Sequence, residues 1–325
     1  MTTESVLLGE GEWTFEPVVG WPFLPADYAL GDVAGLAVDA RDRIVLFNRG
    51  DVPVIVVSPD GEVLDAWGEG AFANPHGASF GPDGSLYLTD NALHVVRKYT
   101  IEGELLLEIG VPGRAAPFMS NEPFNRCTHA AAAPNGDIYV GDGYGNAAVH
   151  RFSAEGEHLL TWGRPGARRG EFNNPHNIAC DRSGRVYVAD RENHRVQVFD
   201  PDGAFLFQLV DMHRPSGMMI TADDDPVVLV GEMASYLDVN RDTPNLGPSI
   251  AAFALDNTLV ACLRREEQRG VGPGQFLSPH SLAMDSSGSL YVGDVGRADW
   301  ATLFPGVPLP EGLRSVQKLR RVGSR

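Results

Sequence analysis

Along most of the chain, apolar residues come in short runs separated by polar turns rich in Gly, Asp and Pro. One unit of this pattern reads Gly77-Ala-Ser-Phe80, then the turn Gly81-Pro-Asp-Gly84, then Leu86-Tyr-Leu-Thr-Asp90. Apolar runs of that length bounded by turn residues predict β-strands, and each turn predicts an antiparallel pair. The unit recurs with second strands ending at Asn48, Asp90, Asp142, Asp190, Glu232 and Asp294. Most copies carry two more strands, such as His94–Tyr99 followed by Leu105–Gly110. The copy ending at Glu232 is the weakest, with extra residues in its Asp223-Asp-Asp225 turn. No segment of useful length has a helical period. The stretches 111–125, 233–248 and 296–313 interrupt the frame and are expected to be loops.

Repeats of four strands, spaced by roughly 40–50 residues, imply blades arranged around an axis. Six of them predict an all-β, six-bladed β-propeller occupying the whole chain, 1–325, as one domain. The last unit has no fourth strand after the run at 315–322, whereas Trp13–Val19 reads as a strand with no blade of its own. The N-terminal strand is therefore expected to close the ring.

In a propeller the first strand of each blade lines the central channel, and the second runs back antiparallel. The residue opening the first strand and the residue following the acid then share one face. The first set is Ala34, His76, Thr128, His176, Ser216 and His280. His76, His176 and His280 each stand 14 residues before an aspartate and belong to blades two, four and six. Imidazoles from alternate blades, aimed at one axis with a coordination position left open, are what a catalytic zinc ion requires. His129 sits one place past the slot held by Thr128, and strand alternation turns it elsewhere; it remains a candidate substrate contact. His94 and His194 are expected in third strands, and His150, His158 and His213 on surface segments, all structural.

The second set contains Arg49, Tyr144 and Arg191. An arginine fork binds a carboxylate in two places, and a tyrosine beside a metal can act as a base. The acid that ends every second strand recurs too regularly for a catalyst. It is expected to accept backbone N–H groups.

Charge and cysteine content narrow the function. The net charge of −17 excludes nucleic acid and anionic membranes as general partners. Three cysteines, Cys127, Cys180 and Cys262, lie far apart and suggest no disulfide framework. The opening residues MTTESVLLGEGEW carry no basic region and no long apolar run, so a cytoplasmic location is expected.

The segment Asn193-His-Arg-Val-Gln-Val-Phe199 resembles the NHL repeat. More of the chain, roughly 30–295, resembles the peptidyl-α-hydroxyglycine α-amidating lyase (peptidylamidoglycolate lyase) family. The matching segments are Val33–Asp39 with Ile44–Asp51, Pro75-His76-Gly77 through His94, Asp142-Gly-Tyr144-Gly-Asn146, Pro175-His176 with Val188–Asn193, and Pro279-His280 with Tyr291–Asp294. The resemblance implies zinc on His76, His176 and His280, with Tyr144, Arg49 and Arg191 as catalytic residues. It implies cleavage of an α-hydroxyglycine carbinolamide to an amide and glyoxylate, or a related lyase or hydratase step on a small hydroxylated acid. Three positions depart from the family pattern. Gly145 stands where animal members have a cysteine, His129 replaces an aspartate, and Ser281 replaces an aspartate that helps bind a structural Ca2+ ion. The expected partner is a small-molecule or peptide-derived substrate. The alternatives are a calcium-dependent propeller lactonase or esterase, whose ion prefers oxygen ligands, and a non-enzymatic NHL scaffold.

Overall fold

The computed structural model describes residues 6–323 other than 26, 224, 267 and 268. The first five residues of the N-terminal segment and the middle of the Asp223–Asp225 turn lie outside the described residues. Six four-stranded antiparallel sheets form the blades of a β-propeller. Their innermost strands are Val33–Val38, Pro75–Phe80, His129–Ala132, Pro175–Cys180, Pro215–Ile220 and Pro279–Met284. Each of these touches the innermost strands of its two neighbours, so the ring is closed.

Closure is made as the pattern predicts. The strand Phe15–Pro17 pairs with Val316–Arg321 and completes the sixth blade. It is shorter than the apolar run around it, because Trp13 already belongs to a single 3-10 turn, Gly11–Trp13.

The core lies between blades. Strand alternation gives each sheet two apolar faces, and each face is buried by the next sheet. Between blades one and two, for example, Val45, Phe47, Val54 and Val56 pack against Ala78, Leu86, Leu88 and Tyr99.

The recurring acids do what their regularity suggested. Asp90 accepts N–H groups from Ala73, Asn74, Ala92 and Leu93. Asp142, Asp190, Glu232 and Asp294 accept from Asn125, Asn173, His213 and Leu277 in the same way. Each carboxylate pins the chain entering its blade to the turn leaving the second strand.

Two expectations are corrected. The segment 296–313 is not all loop: Gly296–Leu303 forms an α-helix, α1. Its apolar side, Leu303 with Trp300 and Phe304, packs on Ala234, Leu277 and Leu313, which holds a helix too short to stand alone. His150 and His213 are buried rather than superficial. His150 bonds Thr161 and Asp142 across its blade. His94 and His194 sit just before their third strands with φ of 59° and 57°, and their Nδ1 atoms accept the N–H groups of Arg126 and Arg214.

Candidate metal centre

In every blade but the third the first strand carries an irregularity at its second residue, and in blades two, four and six that residue is a histidine. Pro75 pairs with Asp90 and Gly77 with Thr89, so His76 faces no partner across the ladder. The same shift isolates His176 between Pro175 and Asn177, and His280 between Pro279 and Ser281. A bulge re-aims the side chain it carries, and these three imidazoles turn to the axis. Their ring centroids are 5.0, 4.6 and 4.7 Å apart. One ligand atom from each lies within 4.8 Å of the others.

The neighbouring blade fixes which nitrogen is offered. His76 Nδ1 lies 2.6 Å from the Thr128 carbonyl, His176 Nδ1 3.1 Å from that of Ser216, and His280 Nδ1 2.7 Å from that of Ala34. A carbonyl only accepts, so each Nδ1 must carry the proton and each Nε2 keeps its lone pair. Thr128, Ser216 and Ala34 occupy the slots of blades three, five and one. Even blades thus supply the imidazoles, and odd blades supply the carbonyls that orient them. Close packing of the blades depends on glycine: a Cβ on Gly77 would come within 2.8 Å of the Thr128 carbonyl oxygen.

All three histidines are buried, and burial drives their pKa values down. The charges of His280 and Arg49 add to this at His76, and Arg191 adds to it at His176. For His280 the value falls to about 3, with Arg49 second to burial. Three neutral, converging Nε2 atoms with an open side are a fitting donor set for a divalent cation of borderline softness.

The open side holds the other sequence candidates. Tyr144 Oη lies 3.1 Å from both His76 Nε2 and His176 Nε2. Its backbone comes this close to blade four because Gly143 has no side chain; a Cβ there would stand 2.3 Å from the Pro175 carbonyl oxygen. Arg191 Nη1 lies 3.5 Å from Tyr144 Oη. Arg49 donates from Nε to the Pro75 carbonyl at 3.1 Å, one residue from His76. Burial works against the charge of Arg191, but Tyr144 and Glu192 outweigh it and raise its pKa.

His129 is placed differently. It pairs with Gly141, the register position of Gly77 rather than of His76. Its ring lines the axial channel with Ser79, Asn177, Met218 and Ser281. Burial takes its pKa down to about 4, and its Nδ1 has no hydrogen-bond partner among the described residues. The neighbouring Ser281 does not fit a calcium ligand, since its hydroxyl accepts the Leu36 N–H and offers no negative charge.

Sequence reasoning missed the groups that hold the arginines. Glu192 takes Arg191 Nε at 2.8 Å and the fork of Arg214 at 2.9 and 3.1 Å. The Arg214 guanidinium lies 3.8 Å from the ring centroid of Tyr236, in the 233–248 insertion. Adjacency to Arg191 was a usable signal for Glu192. Arg214 stands two residues before the Ser216 slot, as Asn74 and Asn174 stand before His76 and His176, so the frame offered a signal for it; Tyr236, in an insertion, gives none. Arg126, just outside the 111–125 insertion, places its guanidinium 4.9 Å from the Tyr144 ring centroid.

Fold and site together define a six-bladed propeller with a three-histidine centre at one mouth of its channel. Residues 172–199 match the NHL repeat family. The chain is 29% identical over 296 residues to human NHL repeat-containing protein 3, covering 86% of this chain and 80% of that one. It is 32% identical over 335 residues to the peptidylglycine alpha-amidating monooxygenase of Rattus norvegicus, covering 88% of this chain but 32% of that protein. It is 29% identical over 317 residues to peptidyl-alpha-hydroxyglycine alpha-amidating lyase 1 of Drosophila melanogaster, covering 85% of this chain and 57% of that one. The chain therefore spans only about a third of the rat monooxygenase and somewhat over half of the Drosophila lyase. Among solved structures, the virginiamycin B lyase of Staphylococcus aureus shares the fold, with a TM-score of 0.56 at 13% identity over 89% of this chain and 82% of that one. The resemblance to the amidating lyases, carried in the sequence by the histidine, arginine and tyrosine segments, thus extends to lyase-named relatives and to an NHL-repeat propeller.

Proposed function

We propose that this chain is a zinc-dependent lyase that breaks the C–N bond of an α-hydroxyglycine carbinolamide, releasing an amide and glyoxylate. One observation carries the reading: three Nε2 lone pairs and the Tyr144 hydroxyl converge on one point, between two arginines. The lyase-named relatives support the reaction class. Nitrogen donors favour zinc over calcium, which counts against a calcium lactonase.

His76, His176 and His280 would hold the ion, and a zinc ion held there polarises the substrate oxygens as a Lewis acid. Arg49 and Arg191 receive the substrate carboxylate, with two-point hydrogen bonding that fixes its orientation. Tyr144 acts as the general base that takes the proton of the substrate hydroxyl. The electron pair of that O–H bond becomes the second C–O bond of the glyoxylate aldehyde. The C–N bond breaks, its pair stays on nitrogen, and nitrogen takes a proton to complete the amide. Tyr144 can return the proton it accepted, so the step needs no external acid. The guanidinium of Arg191, 3.5 Å from Tyr144 Oη, faces the negative charge that develops in this step.

We place the substrate among small or peptide-derived hydroxylated acids, with neither nucleic acid nor membrane as partner. No described helix is long and apolar enough to cross a membrane. Cys127, Cys180 and Cys262 are all free thiols, which suits a reducing compartment such as the cytoplasm. Elemental analysis of the purified protein beside His176→Ala tests the centre: zinc near one equivalent, lost in the variant, is expected. Glyoxylate release from a hydroxyglycine peptide tests the reaction. Calcium alone, or no metal, sinks the centre; zinc without glyoxylate release sinks the substrate.

A further inference from the structure

We propose that Asp32 is a positioning residue for Arg49, and that helix α1 holds it in that role. The inference rests on the reading of Arg49 as a carboxylate-binding group. Asp32 lies one residue before the first strand of blade one and is 5% exposed. Its carbonyl accepts the Arg49 N–H at 2.9 Å, and its Oδ2 stands 3.6 Å from Arg49 Nη1. With Nε bonded to the Pro75 carbonyl, the guanidinium is held from two sides. Its Nη2 makes no hydrogen bond among the described residues and is left for an anion.

A carboxylate beside an anion-binding arginine would ordinarily weaken the binding, since it competes for the same charge. Here α1 takes up part of that charge. The N–H groups of Arg297 and Ala298, in the first turn, donate to Asp32 Oδ1 and Oδ2 at 2.9 and 3.1 Å. Val295, the residue before the helix, provides no side-chain cap. Asp32 is thus the cap of α1, supplied from a distant part of the chain, and the helix dipole stabilises it there. The helix cannot swing away, because Arg297 Nη2 bonds the Leu313 carbonyl and Leu303 is buried against Leu277 and Leu313. The 296–313 insertion therefore acts on the catalytic face through one carboxylate, without touching substrate.

Two variants test this in the full chain with its metal. Asp32→Asn keeps a hydrogen-bond acceptor but removes the charge beside Arg49. Ala298→Pro removes one donor to Asp32 at the third helical position, whose N–H has no partner within the helix, and leaves both charged groups intact. Phenylglyoxal labelling, read by mass spectrometry, reports how freely each guanidinium is available to react. Labelling of Arg49 is expected to rise several-fold in Asp32→Asn, because the guanidinium loses the carboxylate that holds it. Arg191 labelling and metal content should stay as in the parent. A rise in the same direction, smaller in size, is expected in Ala298→Pro. In glyoxylate release, Asp32→Asn should lower kcat/KM, and the loss should vanish in an Arg49→Lys background, as residues acting through one another require. Unchanged Arg49 labelling in both variants, or losses that multiply in the double variant, overturn the proposal. If the parent releases no glyoxylate, the lyase reading falls, and labelling still decides the role of Asp32.

Discussion

Tyr144 Oη sits 3.1 Å from two imidazole Nε2 atoms, yet only the imidazoles have their other nitrogen tied to a neighbouring blade. The tyrosine is therefore the removable member of the cluster. Tyr144→Phe should retain zinc and lower kcat by about 10²–10⁴, the range for loss of a general base; loss of the metal along with turnover would instead make the phenol structural. Glu192 makes a second residue-scale case. Burial alone would raise its pKa, but Arg214 and Arg191 together outweigh burial and hold it down to about 2. A depressed carboxylate stabilises the fold above its unfolded value of 4.5, and that stability is lost as pH falls through about 2. Glu192→Gln should cost on the order of 1–3 kcal/mol at pH 7. The gap to the parent in urea midpoints should shrink below pH 4.5, and a gap constant down to pH 3 would contradict the ion pairing.

At the scale of elements, closure of the ring by Phe15–Pro17 is a claim about stability. Phe15 is fully buried, in a core with Leu290, Val292 and Leu319. Phe15→Ala should destabilise by about 3–5 kcal/mol, measured by urea unfolding; a loss under 1 kcal/mol would mean the sixth blade stands without its N-terminal strand. This strand was legible in the sequence because an unmatched apolar run and an incomplete last unit imply each other. The histidine slots were legible because a repeat turns sequence spacing into angular position: 14 residues before the acid places His76, His176 and His280 alike. Helix α1 was not. Gly296–Leu303 is eight residues long, too short for a period, and its N-terminus is capped from Asp32, 265 residues away from Arg297. His150 was misjudged for a related reason. Its burial comes from Asp142 and Thr161 on neighbouring strands, which local polarity does not register.

For the whole molecule, a ligand set drawn from blades two, four and six couples ring integrity to the metal. Chelation should lower Tm, by an amount that grows with the concentration of free metal in the reference sample, because an ion bound only by the folded ring stabilises it by mass action. A Tm indifferent to chelator would show that the ion is not bound by the assembled ring. The carbonyls of Thr128, Ser216 and Ala34 carry a different consequence. A backbone oxygen is supplied by every amino acid, so Ala34 supports the centre without a side-chain bond, whereas Ser216 Oγ also lies 3.3 Å from His176 Nδ1 and Thr128 Oγ1 donates to the Pro175 carbonyl. Of the three positions, Ala34 is therefore the one open to change. Ala34 makes no side-chain bond of its own but is buried against Met233 and Val295, so a small replacement such as Ala34→Ser is the change that adds a functional group there and leaves the histidine orientation intact. The mouth of the channel thus interleaves blades that give imidazoles with blades that give carbonyls, and new chemistry can enter at Ala34 without dismantling the histidine set.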